Sequence, residues 1–297
     1  MGNSWWEIEV ICDRDLEDAL YWRLERFGCR GTASTDWGMD RAVRAYLPAV
    51  QAQLLDLSAL ALWLQQDAAM MEFEPPDVRW RLIDDEDWAR SWQKYWQPLE
   101  VGDRFLICPA WLTPPETDRL TIRLDPGAAF GTGTHPTTQL CLEGIEMRLP
   151  PGHSGGTIAD IGCGSGILSI ACLLSGATQV YAVDTDPLAP AAAISNAALN
   201  DLAPDRLIAE QGSIERLIQL VPEECDGIVC NIIAETVLEL IPHFNAIAKP
   251  RCWGAIGGIL IDRASDISVA LQKHGWQVGA LWRRGNWCSF NIRHRQD

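Results

Sequence analysis

The chain has 297 residues, 47% of them hydrophobic, and a formal net charge of −16. That length holds one large domain or two modest ones, and no apolar run reaches the ~18 residues of a membrane-spanning helix. The acidic balance argues against a protein that clings to a phosphate backbone unaided.

Ten cysteines without a C-x-x-C pair and five scattered histidines point to reduced thiols in a cytoplasmic protein. They argue against a disulfide frame or a zinc site. The first residues lack a basic segment followed by an apolar one, so no signal peptide is expected. Residues 1–100 carry 19 acidic and 10 basic side chains. Such a surface can steer a basic protein toward it, or it can simply keep the chain soluble.

In chain order, Trp5–Ile11 alternates like a strand. Asp13 can cap a helix running through Phe27, with Gly28 and Gly31 as stop signals. Strand-like pieces follow at Gly31–Asp36 and Arg41–Leu47, then a helix over Ala49–Met70, closed by Pro75-Pro76, and a strand at Val78–Ile83. The β-α-β-β-α-β order predicts a small ferredoxin-like α/β domain over residues 1–85. Residues 86–119 read as a linker. Within it Trp88, Trp92 and Trp96 recur every four residues and share one helix face. That face is either packed on a domain or open to a partner.

From residue 120 to 297, strand and helix alternate. A loop rich in glycine and threonine, Asp125–Thr138, leads into a helix over Thr138–Met147. An apolar strand at Ile158–Ile161 runs into Gly162, Gly164 and Gly166, and Ile167–Leu174 has helical apolar spacing. Val180–Asp184 is the second strand of this sheet, and Pro187 opens a helix that Asp186 can cap. Asp226–Asn231 is taken as the fourth strand, followed by a helix over Ala234–Ala248. Cys252–Ile259 is the fifth strand, followed by a helix over Asp262–His274. The last two strands, Trp276–Arg283 and Trp287–Arg293, join through Arg284-Gly-Asn. That hairpin signal makes one of them antiparallel to the rest.

The strand, glycine turn and helix at 157–174 let backbone approach a nucleotide-like ligand closely. The spacing is D-x-G-x-G-x-G, not the G-x-G-x-x-G of dinucleotide sites, which disfavours a nicotinamide-dependent oxidoreductase. It resembles the first motif of class I S-adenosylmethionine-dependent methyltransferases. Asp184 lies about 20 residues beyond the turn, where an acidic side chain can accept from ribose hydroxyls. It could equally be a strand-end residue that starts a turn. Asn231 ends its strand on the edge where open α/β sheets bind ligands. Its amide can accept a hydrogen bond from an incoming amine, or it can be an ordinary turn residue. His135 is either a base or a shaper of its loop.

Four segments together sharpen the resemblance: Phe130-Gly-Thr-Gly-Thr-His-Pro-Thr-Thr138, Asp160-Ile-Gly-Cys-Gly-Ser-Gly166, Val183-Asp-Thr-Asp-Pro187 and Cys230-Asn-Ile-Ile-Ala234. With the Trp-rich Asp87–Trp96 stretch they resemble the bacterial ribosomal protein L11 methyltransferases over essentially the whole chain. The nine-residue loop is the distinctive element. The Asn-Ile-Ile-Ala motif departs from the Asn-Pro-Pro-Tyr of adenine and glutamine methyltransferases.

The resemblance implies a class I sheet closed by an antiparallel hairpin, with an N-terminal domain that recognises a basic ribosomal protein. S-adenosyl-L-methionine would meet Thr138, Gly162, Gly164, Gly166, Asp184 and Asn231. Phe130 would lie near the reacting methyl, making Phe130 and Asn231 the catalytic pair. It further implies methylation of α-amino and lysine amines; the residues themselves, not the resemblance, point to no metal, no membrane and no direct nucleic-acid contact. A small-molecule amine methyltransferase, or a ligand-binding protein of the same fold without catalysis, is the competing reading.

Overall fold

The computed structural model describes residues 4–84, 96–125 and 131–295. Phe130, Trp88 and Trp92 therefore lie outside the described residues. The chain forms two compact units, Met1–Gln97 and Pro98–Asp297.

The first unit runs β1 (Ser4–Cys12), α1 (Glu17–Phe27), β2 (Arg30–Trp37), β3 (Asp40–Pro48), α2 (Leu54–Met70) and β4 (Asp77–Asp84). Its sheet has the order β2-β3-β1-β4, with every pairing antiparallel. Helix α2 turns Leu57, Leu60, Leu64 and Ala68 inward at helical spacing. These meet Leu16, Leu20 and Leu24 from the α1 side and Ile8, Val10, Val43 and Ala45 from one face of the sheet. Both helix starts differ slightly from the sequence reading. Asp13 caps a 3-10 turn at Arg14–Leu16, accepting the Asp15 N–H at 2.9 Å. Helix α2 begins after a separate turn at Ala49–Gln51, where Asp56 accepts the Gln53 N–H at 2.8 Å.

The second unit begins with a three-stranded sheet that the sequence reading did not anticipate, because 86–119 was taken as linker. Strands β5 (Leu99–Val101) and β6 (Phe105–Pro109) pair antiparallel, and β6 pairs in parallel with β7 (Leu120–Leu124). All five residues of β6 are buried. A fully buried five-residue run has no alternation to betray it, and the surrounding prolines suggested a junction.

Next come α3 (Pro136–Arg148), β8 (Thr157–Ile161), α4 (Ile167–Leu174), β9 (Gln179–Asp184) and α5 (Ala189–Leu199). They are followed by β10 (Leu207–Gln211), α6 (Ile214–Leu220), β11 (Cys225–Asn231), α7 (Ala234–Leu240), β12 (Ala248–Leu260), α8 (Ala264–Lys273), β13 (Trp276–Arg284) and β14 (Trp287–His294). The seven-stranded sheet has the order β10-β9-β8-β11-β12-β14-β13. Its first five strands are parallel, and β14 runs antiparallel to both neighbours. The expected C-terminal hairpin is thus present, and β14 is its reversed strand.

Strand β10, the third strand implied but not placed by the sequence reading, is a five-residue edge strand ending in Glu210-Gln211. The helix expected over 234–248 is cut short. Pro242 lacks an N–H and α7 gives way to a 3-10 turn at Ile241–Ala246. Strand β12 then starts before Pro250, which falls where the register with β11 shifts, a position a sheet proline tolerates.

Candidate functional site

Strands β9, β8 and β11 lie side by side and parallel, so Asp184, the glycine turn after Ile161, and Asn231 share one edge of the sheet. The N–H groups of Gly162 and Cys163 both donate to the Val183 carbonyl, at 2.8 and 3.1 Å, which pins the turn to β9. Gly162 has φ +76°, and a Cβ there would fall 2.4 Å from the Ile232 side chain. Gly166 has φ +83°, and its Cβ would fall 2.8 Å from Ala193 of α5. Glycine is required at both positions, once to keep the cleft floor low and once to let α4 approach α5.

Asp184 starts a turn, one of the two roles open to it in the sequence reading, and also holds the glycine turn. Its Oδ1 accepts the Asp186 N–H at 2.9 Å and starts a turn, while its Oδ2 accepts the Gly164 N–H at 2.8 Å. Each carboxylate oxygen keeps a further lone pair for a hydroxyl. Asp186 accepts the Leu188 N–H at 2.9 Å and closes the turn into α5, which begins at Ala189 and not at Pro187.

On the other side of β8, Asn231 donates from Nδ2 to Thr138 Oγ1 at 2.9 Å. Thr138 is fully buried in the first turn of α3. That bond fixes which way the amide faces. Asn231 Oδ1 is buried and has no hydrogen-bond partner among the described residues. A buried acceptor left open is costly and marks a place built to receive a donor. Gly257 of β12 keeps the space beside it free, since a Cβ there would lie 3.1 Å from Asn231 Oδ1.

The threonine-rich loop is tied to this edge. Ser165 of the glycine turn donates its hydroxyl to the Gly131 carbonyl at 2.7 Å. Gln139 donates to the Thr134 carbonyl at 2.9 Å and accepts from Arg284 at 2.7 Å. His135 is the N-cap of α3: its Nδ1 accepts the Thr137 N–H at 3.3 Å and pairs with the Thr137 hydroxyl at 2.7 Å. The ring meets Trp287 edge-on at 4.7 Å. His135 thus caps α3 and packs against Trp287 of β14.

Sequence reasoning gave no role to Asp160. It is fully buried in β8, where its Oδ2 accepts the Ser169 hydroxyl at 2.6 Å and its Oδ1 has no partner among the described residues. Burial pushes its pKa up to about 7; the Asp184 charge adds to the rise, and the Ser169 hydroxyl opposes it. The available signal was a charged residue inside the apolar run Thr157–Ile161. The Cys163 thiol, also in the turn, is driven above its ordinary range by burial and by Asp160, so it is not a nucleophile. Among the described residues no group of three His, Cys, Asp or Glu side chains is arranged to hold a metal ion. Nor is any helix there long and apolar enough to cross a membrane.

A family model described as ribosomal protein L11 methyltransferase (PrmA) matches residues 4–295. A relative of that name from a Cyanothece strain is 54% identical, with 99% of this chain and 100% of the relative covered. Another from Thermosynechococcus vestitus is 49% identical, with 99% and 98% covered. The crystal structure of a ribosomal protein L11 methylase from Lactobacillus delbrueckii subsp. bulgaricus superposes with a TM-score of 0.60 at 34% identity. That match covers 67% of this chain and 100% of the other.

Proposed function

The chain belongs to the ribosomal protein L11 methyltransferase family, and on that premise we propose that it methylates ribosomal protein L11 at the α-amine and at lysine ε-amines, with S-adenosyl-L-methionine as donor. The observation that carries this reading is the buried Asn231 Oδ1, oriented by Thr138 and left without a partner among the described residues.

The cleft edge suits that cofactor. A side chain at Gly162 would fill the cradle, Asp184 has lone pairs free for ribose hydroxyls, and the unpartnered Asp160 Oδ1 offers a buried acceptor. Gly162, Gly164 and Thr138 would hold it, and the family resemblance assigns Phe130 to the reacting methyl. When bound, S-adenosyl-L-methionine supplies an electrophilic methyl group on a cationic sulfur.

The acceptor amine must reach the site neutral. A lysine with pKa ~10.4 is neutral about once in 2,500 molecules at pH 7, a cost of roughly 4–5 kcal/mol. An α-amine near pKa ~7.8 is neutral roughly one time in seven, so the terminal amine is the easier first acceptor. Asn231 Oδ1 accepts an amine N–H and turns the nitrogen lone pair toward the methyl group. Thr138 keeps the amide from rotating. The chain's task is orientation, and His135, engaged as a cap, is not required as a base. Recognition of the basic substrate falls to the acidic N-terminal unit, helped by charge steering.

The test mixes purified chain and labelled S-adenosyl-L-methionine with separated large-subunit ribosomal proteins. One labelled band, L11, with three added methyl groups on its N-terminal residue, is the expected result. In a parallel reaction offered small amines, label on an amine with L11 unlabelled would overturn the substrate assignment.

A further inference from the structure

We propose that Asn196, on the buried face of α5, is a positioning residue of the methyl-transfer site: it locks the start of the threonine-rich loop to the glycine turn. The inference rests on the cofactor reading above and adds to it a residue outside the motifs.

Asn196 is 1% exposed. Its Oδ1 accepts the Asp125 N–H at 2.8 Å, and its Nδ2 donates to the Ser165 carbonyl at 2.8 Å. Ser165 in turn donates its hydroxyl to the Gly131 carbonyl at 2.7 Å. Asp125 and Gly131, which flank residues 126–130, are thereby tied to one point of the D-x-G-x-G-x-G turn. Only a carboxamide serves both partners here. An alanine gives up the bond to the Asp125 N–H and takes the donor away from the buried Ser165 carbonyl, and an aspartate sets an acceptor against that carbonyl.

Asn200, one helical turn later, supplies the comparison. It accepts the Arg123 N–H at 2.7 Å and donates to the carbonyls of Arg123 and Asn196 at 2.8 and 2.7 Å. Strand β7 pairs with β6 along one edge. Along the other, the two asparagines supply hydrogen bonds that a further strand would otherwise make. Both therefore hold β7, but only Asn196 reaches the glycine turn. A purely structural role predicts like consequences for the two; a positioning role predicts that they part.

The experiment compares Asn196→Ala with Asn200→Ala in the full chain. It follows thermal unfolding, calorimetric binding of S-adenosylhomocysteine, and the kcat and KM of methyl transfer to L11. It also follows hydrogen exchange at the Asp125 amide in the ligand-free protein. Asn196→Ala is expected to weaken binding and lower kcat by at least about tenfold each, equivalent to about 1.4 kcal/mol, and to speed Asp125 exchange. Asn200→Ala is expected to lower the melting temperature while changing binding and kcat by less than about twofold, within the range of a surface-like perturbation. Equal losses in both variants, or an Asn196→Ala enzyme with wild-type kcat and affinity, would overturn the proposal. Should Asn196→Ala not fold, Asn196→Ser carries the same comparison with the same outcomes. Wild-type binding in the same titration tests the cofactor reading separately, and the exchange measurement tests the clamp without any ligand.

Discussion

Glu7 of the N-terminal unit and Asp160 and Asn231 of the second unit are buried polar groups satisfied in opposite ways. In the N-terminal unit Glu7 sits on β1 directly opposite Tyr46 of β3 and Arg81 of β4. It is 7% exposed, and both of its oxygens are engaged, one by the Tyr46 hydroxyl at 3.2 Å and the other by the Arg81 guanidinium. In the second unit Asp160 and Asn231 each keep one buried oxygen without a partner among the described residues. Both lie in neighbouring strands, β8 and β11, of the seven-stranded sheet. On the proposed function, the paired Glu7 holds its sheet, while the open oxygens of Asp160 and Asn231 are positions for a ligand's donors.

Filling or deleting the open positions gives the largest expected effects. Asn231→Ala removes the acceptor proposed for the amine. It should lower kcat by about 100-fold or more, the scale of losing one oriented catalytic hydrogen bond, with the affinity for S-adenosylhomocysteine changed by less than about threefold. Single-turnover kinetics beside calorimetry separates the two quantities; unchanged turnover would remove Asn231 from the mechanism. Asp184→Ala comes next. It withdraws the charged acceptor proposed for the cofactor and loosens Gly164, so binding should weaken about 10- to 100-fold, as expected for hydrogen bonds to an ionised group.

Asp160 gives a pH signature instead of a rate. Its folded pKa of about 7 lies above the ordinary carboxylate value. Between those two values the folded chain holds a proton that the unfolded chain has lost. Stability from this group is therefore complete below pH ~4 and is lost as pH rises through about 7, with a slope of about 1.4 kcal/mol per pH unit in between. Denaturant unfolding of the ligand-free protein at pH 5 and 6 should show this slope, and Asp160→Asn should flatten it. An identical slope in both proteins would mean that Asp160 is ionised throughout.

What the sequence made legible follows from how local each signal is. The glycine turn, Asp184 and Asn231 could be placed because a strand end, a tight turn and a helix start are written within a few residues. The pairing of Asn231 with Thr138 spans 93 positions, and no local pattern announces it. Strands β5 and β6 were missed and β10 was left unplaced because they are short and lack a full alternating run, and the start of β12 was placed late because its proline sits in a register shift. Asp160 was visible as a charge in an apolar strand, but only its surroundings reveal that one oxygen is open. Asn196 looked like one more polar residue on an alanine-rich helix; its role depends on Asp125 and Ser165, 71 and 31 positions away.

The smallest effect sharpens the contrast from the paired side. Glu7→Gln keeps the shape of the side chain and can still accept from Tyr46, but it gives up the charge facing Arg81. Arg81 is 67% exposed, so water screens most of that pair, and the loss should be about 0.5–1 kcal/mol. The melting temperature should fall by a few degrees, less at high salt, with affinity for S-adenosylhomocysteine unchanged. A Glu7→Gln protein whose cofactor affinity dropped as far as that of Asp184→Ala would mean that paired and unpaired groups do not divide into holding and receiving roles. A loss confined to stability would mean that they do.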